Sequence, residues 1–172
     1  MTVYATRQQL LARLDALEIA YCLHEHPAVF TVEEARVHCA HLPGGHFKNL
    51  FLRSKKKHNW LVVLRDDATI DLQQLGEILQ GGRLSFASRE RLWEHLGVVP
   101  GSVTPLALIN DPEQRVNVVF DERVLDADPV NFHPLENTAT LALHPRDLLA
   151  FIRYLGHEPR LVTMPLVPPP AH

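Results

Sequence analysis

The sequence has few cysteines and no long apolar run. Cys22 and Cys39 are its two cysteines, so one disulfide is the most it could form. The opening MTVYATRQQL has neither the basic region nor the apolar stretch of a secretion signal. No segment approaches the ~20 apolar residues that cross a bilayer. We therefore expect a soluble cytoplasmic protein with free thiols and no membrane contact.

An excess of positive charge is also missing. The formal net charge is −3, which argues against a protein that coats nucleic acid but allows a local basic patch. The 172 residues are 46% hydrophobic, enough for one substantial core and too few for a second independent domain. We expect one domain over residues 1–165 and a proline-rich tail over 166–172, in a disordered or polyproline-like state.

Familiar catalytic motifs are absent as well. The sequence contains no GxSxG elbow, Walker loop, HExxH helix or paired CxxC. Its 11 histidines leave a metal site open, and histidine and cysteine cluster in CLHEH (22–26) and HCAH (38–41). This spacing matches no established zinc pattern, so we predict neither a bound metal nor another cofactor.

Helix start signals are present before five segments. A residue whose side chain can cap the first turn, or a proline in that turn, precedes or opens each one. The predicted helices are residues 7–18 after Thr6, TVEEARVHCAH from Thr31, DLQQLGEILQ after Asp71, RERLWEHL after Ser88, and HPRDLLAFIRYLG with Pro145.

Strand signals lie between these helices. KNLFLRS and NWLVVLR predict a hairpin with a basic tip, and AYCLHEH and RLSFAS predict shorter strands. LALIND, VNVVFD and TATLAL predict three neighbouring strands, with DPVNFHPLEN as an irregular connection. Because strands occur both in hairpins and between helices, we expect an α+β fold with a mixed β-sheet and packed helices.

Lys48 occupies an unusual position in the first of these strands. Alternation in GGHFKNLFLR places Lys48 on the same face as Leu50 and Leu52, with Asn49 on the opposite face. Such a lysine can simply extend its ammonium into water along apolar neighbours. It can equally fix a phosphate or a terminal ribose at the mouth of an apolar pocket, because it offers three donors and a positive charge.

Two further segments carry polar or conformationally special residues. In VVPGSVTPL, Gly101 allows unusual backbone angles and Pro105 fixes its own φ, so the loop could present amide groups to a ligand. In NFHPLENTAT, His133 and Asn137 precede an apolar strand and could project into a cleft at the end of the sheet. Each segment alone is equally compatible with a plain connection.

Taken together, these segments resemble a known family. KNLFL (48–52), GSVTP (101–105) and HPLENTAT (133–140) occur in the order and approximate spacing of the YbaK/prolyl-tRNA synthetase editing-domain superfamily. The sequence is most similar to the freestanding ProXp-ala (PrdX-type) branch, which deacylates alanyl-tRNA(Pro). The similarity extends from the first helix to about residue 165, and implies a mixed α/β editing fold.

The resemblance also implies an activity and a set of site residues. The activity is hydrolysis of the ester that joins a wrongly attached amino acid to the 3′ end of tRNA. Lys48 matches the lysine that engages the terminal adenosine, and Gly101 opens the loop that lies against the aminoacyl ester. The substrate-binding positions implied by the same match are Asn49, Ser102, Val103, Thr104, Pro105, His133 and Asn137.

The lack of a nucleophile is compatible with this chemistry. An aminoacyl ester is labile, so positioning, amide donors and a water oriented by the ribose hydroxyl of the substrate can suffice, with Lys48 assigned to binding. The expected partner is the acceptor end of mischarged tRNA(Pro), with prolyl-tRNA synthetase as a second candidate. The predicted tRNA contacts are Arg53, Lys55, Lys56 and Lys57. Two alternatives stay open: a sister deacylase for cysteine or serine, and a module that binds without hydrolysis.

Overall fold

Five α-helices form around capping signals that are visible in the sequence. The computed structural model describes residues 3–39 and 41–168. Thr6 and Gln9 form the predicted capping box, and the side chains of Asp71 and Ser88 each accept a hydrogen bond from the first turn of their helix. The helices are α1 Arg7–Ala16, α2 Val32–Cys39, α3 Leu72–Ile78, α4 Arg89–Leu96 and α5 Pro145–Tyr154.

Eight strands form one mixed sheet. They are β1 Tyr21–Glu25, β2 Gly45–Ser54, β3 Asn59–Arg65, β4 Leu84–Phe86, β5 Val116–Asp121, β6 Val130–Phe132, β7 Ala139–Leu143 and β8 Arg160–Val162. Their order is β1-β7-β6-β2-β3-β5-β8, and β4 pairs with β2 outside this path. Parallel pairs (β2–β6, β3–β5, β5–β8) occur beside antiparallel ones, which confirms the predicted α+β class.

Each face of the sheet carries a hydrophobic core. In β3, Leu61 and Val63 pack into the larger core with residues of α1, α4 and α5. Trp60, Val62 and Leu64 pack into the smaller core with α3. The alternation of side chains along one central strand therefore connects both cores. No helix among the described residues is long and apolar enough to span a membrane.

The prediction of a strand at LALIND is wrong. Pro105–Asn110 is a 3-10 helix, with proline in its first turn and the Thr104 side chain accepting a hydrogen bond from Leu106 N. This cap and the fixed φ of proline favour a helical turn over an extended strand, although the segment is apolar. VNVVFD and TATLAL are strands β5 and β7 as predicted, but they are not neighbours, because β6, β2 and β3 lie between them.

Two short strands were missed by the sequence analysis. β6 lies inside the segment predicted to be irregular, and β8 follows α5. Each has three residues, too few for an alternation signal. After β8, Leu166 forms an isolated antiparallel bridge with Ile70, so the chain stays packed at the start of the predicted tail. Residues 169–172 of that tail lie outside the described residues.

The two edges of β2 are covered differently, and this creates the candidate site. One edge pairs with β3 from Phe47 to Arg53. The other edge pairs with β6 at Gly45 and His46, and with β4 from Leu52 to Ser54. In between, residues 47–50 have no strand on this second edge within the described part of the chain. The sheet is split there.

Candidate active site

A cavity of about 690 Å³ lies beside the split in the sheet. Its walls come from α2, the first half of β2, the end of β3, the segment before β6, and the ends of β6 and β7. Its lining residues are Val32, Ala35, Arg36, Cys39, Gly44, Gly45, His46, Phe47, Asn49, Arg65, Asp66, Asp67, Arg123, Asp126, Ala127, Asn131, Phe132, His133 and Thr140. Asn49 and His133, two of the predicted substrate-binding residues, both line this cavity, and their contact with substrate stays a prediction.

Helix α2 forms one wall with a single face. Val32, Ala35, Arg36 and Cys39 line the cavity at the i, i+3, i+4, i+7 spacing of one helical stripe. The Arg36 guanidinium reaches the end of β3, where it donates to the backbone oxygen of Asp66 at 3.3 Å. In most surface helices the residues at this spacing pack against the hydrophobic core. In α2 they face the cavity instead.

His133 is held in one tautomer. Its Nδ1 lies 2.9 Å from the carbonyl oxygen of Ala139, and since a carbonyl can only accept, Nδ1 carries the proton. Burial lowers the pKa of His133, and the nearby His26 lowers it further, against the opposing effect of the Ala139 hydrogen bond. The ring is consequently neutral near pH 7, and its Nε2 is a hydrogen-bond acceptor.

Thr140 is at the centre of a small hydrogen-bonded cluster. Its hydroxyl lies 2.8 Å from His26 Nε2 and 3.7 Å from the Sγ of Cys39 on α2. His26 Nδ1 lies 2.9 Å from the carbonyl oxygen of Pro27, which again fixes the proton on Nδ1. In the neutral ring, Nε2 accepts from the Thr140 hydroxyl, so lone pairs of Oγ1 are left for other donors.

Two asparagine side chains in the cavity wall have an oxygen without a partner. Asn131 Nδ2 donates to the carbonyl oxygens of Pro43 and Gly45, both at 3.0 Å, which ties the turn before β2 to β6. The Oδ1 atoms of Asn131 and Asn49 are buried and have no hydrogen-bond partner in residues 3–39 and 41–168. An unpaired buried oxygen costs roughly 1–3 kcal/mol, so both atoms can gain from a ligand or water that donates.

Charged residues of both signs line the cavity. Arg65 forms a two-point hydrogen bond with Asp67 at 3.1 and 3.2 Å, and this bond lowers the pKa of the Asp67 carboxyl. Arg36 lies 4.0 Å from the carboxylate of Asp66. Arg123 and Asp126 also line the cavity, so its wall holds three arginines and three aspartates, whose formal charges cancel.

Lys48 is not among the residues that line the cavity. By alternation it shares a face with Leu50 and Leu52, which pack in the smaller core, whereas Phe47 and Asn49 face the cavity. It is partly exposed, and its ammonium has no hydrogen bond or ion pair to any residue that the structure describes. Its role at the substrate stays a prediction.

The loop of residues 101–105 packs against the Val29–Phe30 segment that leads into α2. Gly101 has φ +93°, and a Cβ there would stand 3.4 Å from Val29 O and from Phe30 Cα. Asn137 contacts the same segment, because its Nδ2 donates to Val29 O at 2.8 Å. Gly101 and Asn137 therefore support the entry to α2, and neither lines the cavity.

The other loop residues are mainly structural in this arrangement. Ser102, Thr104 and Pro105 are buried, and Val103 packs against the larger core. The amide of Ser102 donates to Val99 O at 3.0 Å. None of the four lines the cavity, so their predicted contact with substrate is untested by the geometry.

The predicted basic tip lies at the other end of β2. Its members are Arg53 on the strand and Lys55, Lys56 and Lys57 in the turn. From Asn49 to Lys55 the chain covers about 20 Å at strand spacing. Lys56 Nζ donates to Gln80 O at 2.8 Å, and the other two turn lysines are exposed. The tip can thus meet only a part of a ligand that extends well beyond the cavity.

The candidate metal and thiol residues are separated. Within the described chain, no three histidine, cysteine or acidic residues come close enough together to hold a metal ion. Cys22 and Cys39 are free thiols, the first exposed and the second buried. Within the CLHEH segment, His26 is the residue connected to the cavity, because its side chain contacts Thr140.

Sequence reasoning missed several cavity residues. Thr140 stands inside the motif NTAT, and a polar residue at the start of an otherwise apolar strand was a signal that could have indicated it. Asp66 and Asp67 directly follow a buried strand, which is also a common place for functional side chains. Arg36 and Arg123 had no comparable signal.

Comparison with known proteins agrees with this arrangement. Residues 26–151 match the family described as "Aminoacyl-tRNA editing domain". A prolyl-tRNA synthetase associated domain-containing protein 1 from Mus musculus is 44% identical over 158 residues, covering 89% of this chain and 93% of the relative. The prolyl-tRNA editing protein ProX of Acetoanaerobium sticklandii is 38% identical, covering 88% and 93%.

A solved structure supports the fold. A protein assigned as a trans-editing enzyme for prolyl-tRNA synthetase superposes with a TM-score of 0.70 at 21% identity, covering 95% of this chain and 99% of that one. The family match and the ProX relative together support an aminoacyl-tRNA deacylase. On the extent of the family match and the identity to these relatives, the chain belongs to the aminoacyl-tRNA editing-domain family.

Proposed function

We propose that the protein is a trans-editing deacylase that hydrolyses alanyl-tRNA(Pro). The observation that carries the proposal is the cavity at the split in the sheet, where Asn49 and His133 of the family motifs converge. No serine lines this cavity, and its one thiol, Cys39, is buried against Thr140. The site is therefore suited to direct attack by water on an ester that needs no enzyme nucleophile.

The volume of the cavity fits the end of a charged tRNA. Small-molecule sites typically enclose about 300–1,000 Å³. At about 690 Å³, this cavity has room for an amino acid together with a terminal nucleoside. The remainder of the tRNA then lies outside, where Lys48 could neutralise a phosphate near the 3′ end and the hairpin tip could meet the acceptor stem.

The reaction is ester hydrolysis. The oxygen of a water attacks the ester carbonyl carbon, and the bond from that carbon to the ribose oxygen breaks. The bonding electron pair goes to the ribose oxygen, which takes up a proton from the attacking water. Free alanine and the uncharged 3′ end are released. The neighbouring ribose hydroxyl orients the water, and the enzyme contributes by positioning the ester and stabilising developing charge.

Alanine is the expected amino acid for a physical reason. A prolyl-tRNA synthetase pocket excludes the smaller alanine poorly, because a missing methylene is worth only ~1–3 kcal/mol in an apolar pocket. A second site that admits alanine but not proline corrects this error. The apolar lining residues Val32, Ala35, Phe47 and Phe132 are candidate walls for this selection.

The proposed partners follow from the substrate. Mischarged tRNA(Pro) binds through its acceptor end, and Arg53, Lys55, Lys56 and Lys57 are the proposed stem contacts. Prolyl-tRNA synthetase is a second proposed partner, since the Mus musculus relative is named for a prolyl-tRNA synthetase associated domain. The cytoplasm, where tRNA charging takes place, is the proposed location.

One assay distinguishes the candidate functions. tRNA(Pro) charged with alanine, serine, cysteine or proline is incubated with the protein, and release of each amino acid is followed against the spontaneous rate. We expect alanine to be released fastest and proline to be spared. Faster release of cysteine or serine would assign the protein to a sister activity. Binding of charged tRNA without release of any amino acid would identify a binding module and refute the deacylase.

A further inference from the structure

The cavity wall carries several hydrogen-bond acceptors that are free for a ligand, and the unpaired Oδ1 of Asn131 is one of them. The tautomer of His133 leaves its Nε2 as an acceptor, since Nδ1 donates to Ala139 O. The Oδ1 of Asn49 is buried without a partner. The hydroxyl of Thr140 donates a hydrogen bond to His26 Nε2 and keeps its lone pairs for other donors. All three residues line the same cavity.

The polarity of Thr140 is set by its neighbours. His26 can accept from Thr140 only because its other nitrogen donates to the carbonyl oxygen of Pro27. The thiol of Cys39 is a weak donor, so at 3.7 Å it does not compete strongly for the remaining lone pair of Oγ1. His26 thus acts as a positioning residue that keeps Thr140 an acceptor toward the cavity.

The α-ammonium is the group of an aminoacyl ester that can donate hydrogen bonds to several acceptors. It has three N–H donors, no acceptor and a positive charge, whereas the ester oxygens and the ribose would be served by donors. Hydrogen bonds to a charged group are about twice as strong as neutral ones. Two of the three carboxylates that line the cavity, Asp66 and Asp67, are paired with arginines and are less available to a second cation. The third carboxylate is that of Asp126.

We infer that Asn49, His133 and Thr140, with Thr140 oriented by His26, form a subsite for the α-ammonium of the aminoacyl group. The inference rests on the proposed deacylase function and adds to it a chemical selection that is independent of side-chain size. The subsite accepts a free amino acid ester and disfavours an otherwise similar ester whose α-substituent is a neutral hydroxyl.

The test compares two esters that differ at one group. Alanyl-tRNA(Pro) is compared with lactyl-tRNA(Pro), in which a hydroxyl replaces the ammonium, and kcat/KM is measured for both after subtraction of spontaneous hydrolysis. The ratio is compared between wild type and variants, so that intrinsic differences in ester lability cancel. Thr140→Val removes the acceptor with little change of shape, and Thr140→Ser restores it. Thr138→Val is the matched control, because Thr138 is exposed and does not line the cavity.

We expect Thr140→Val to lower kcat/KM for the alanyl ester about tenfold and to leave the lactyl ester within about twofold, since only the charged hydrogen bond is lost. Thr140→Ser and Thr138→Val should keep the wild-type ratio, and His26→Phe should lower it about threefold. An unchanged ratio in Thr140→Val, or an equal loss on both esters, would overturn the subsite while leaving the deacylase intact.

Binding keeps the inference testable if neither ester is cleaved. The non-hydrolysable amides 3′-alanylamido-3′-deoxyadenosine and 3′-lactylamido-3′-deoxyadenosine are titrated into wild type and Thr140→Val by calorimetry. We expect wild type to bind the alanyl compound about tenfold more tightly, and Thr140→Val to bind the two alike. Equal affinity in wild type would refute the subsite, whereas preference without hydrolysis would refute only the proposed function.

Discussion

The two halves of β2 each contain one phenylalanine and one leucine, yet the first half borders the cavity and the second half is mostly buried. Residues 45–50 are all partly exposed, and most of them border the cavity. Residues 51–54 are buried except for Arg53, with β3 on one edge and β4 on the other. From Phe47 onward β3 covers the first edge of both halves, so the difference for residues 47–50 comes from the second edge. A missing strand neighbour therefore marks the part of β2 that contains Phe47 and Asn49, whereas Gly45 and His46 line the cavity although β6 pairs with them.

The largest effect is expected from a change in the closed half. Leu52 is fully buried in the smaller core, so Leu52→Ala should lower the free energy of unfolding by about 2–5 kcal/mol through the cavity it leaves. Denaturant titration measures this loss. Deacylation per folded molecule should stay near normal. A folded Leu52→Ala protein that has lost its activity would show that the two halves are not separable.

Lys48→Ala makes the opposite prediction for the open half. Lys48 is partly exposed and pairs with nothing in the described residues, so its loss should leave thermal unfolding almost unchanged. If the ammonium binds the tRNA 3′ end, alanine release should fall about 10- to 150-fold, the value of one hydrogen bond to a charged group. Circular dichroism and single-turnover deacylation are measured on the same sample.

Lys48→Arg is the control for this prediction, because it keeps the charge and should retain part of the activity. Near-normal turnover in a folded Lys48→Ala protein would remove Lys48 from the site. The functional part of β2 would then be reduced to the residues that line the cavity, which are Gly45, His46, Phe47 and Asn49.

The sequence predicted local features well, because neighbouring residues determine them. The caps at Thr6, Asp71 and Ser88 each involve a side chain and a backbone amide three residues away. The family motifs likewise led to Asn49 and His133, which both line the cavity.

What the sequence could not supply depends on distant pairing. The split in the sheet arises because β6 and β4 cover different parts of β2, and their paired residues are 85 and 30–34 positions away along the chain. The contact of His26 with Thr140 likewise joins residues that alternation assigns to separate strands. No local sequence pattern indicates which distant strands pair, so the position of the cavity was not predicted. The packing of α2 against that cavity was not predicted for the same reason.

The far end of β2 should affect binding without affecting chemistry. Changing Lys55, Lys56 and Lys57 to Glu should weaken tRNA binding and flatten its salt dependence, because fewer counterions are released. Hydrolysis of a minimal aminoacyl-adenosine should stay as before, since the tip lies about 20 Å from the cavity. Binding is measured as a function of salt for wild type and the triple variant.

Equal slopes and affinities would show that the tip does not contact tRNA. The stem contacts would then have to be sought elsewhere on the surface, with Arg83, Arg89 and Arg91 as the next candidates. The comparison of the two halves would survive this outcome, because it depends on the cavity and not on the tip.

The loop behind α2 should give a smaller effect. Gly101→Ala forces a residue with a side chain into φ +93°, which costs roughly 1–2 kcal/mol, and relief of this strain would shift the loop against the Val29–Phe30 segment that leads to α2. Alanine release should fall about tenfold, whereas Ser102→Ala should stay within about twofold. Single-turnover rates for the two variants decide the ranking, and a reversed order would mean that the Ser102 hydroxyl takes part in the reaction.

The smallest expected effect is a displaced pH dependence. The proposed contact needs neutral His133, and burial lowers the pKa of His133 below the ordinary value of about 6.5. The acid limb of kcat/KM should therefore lie below pH 6.5, and His133→Asn should remove it. Stability should move in the same direction: the unfolded chain takes up the proton first, so the free energy of unfolding falls as the pH drops below about 6.5.

His58→Asn, in the exposed hairpin turn, is the control and should leave the acid limb in place. An acid limb at or above pH 6.5 in wild type would mean that His133 is accessible to water and charged when the site is empty. The burial of His133, next to the uncovered half of β2, would then not lower its pKa as proposed.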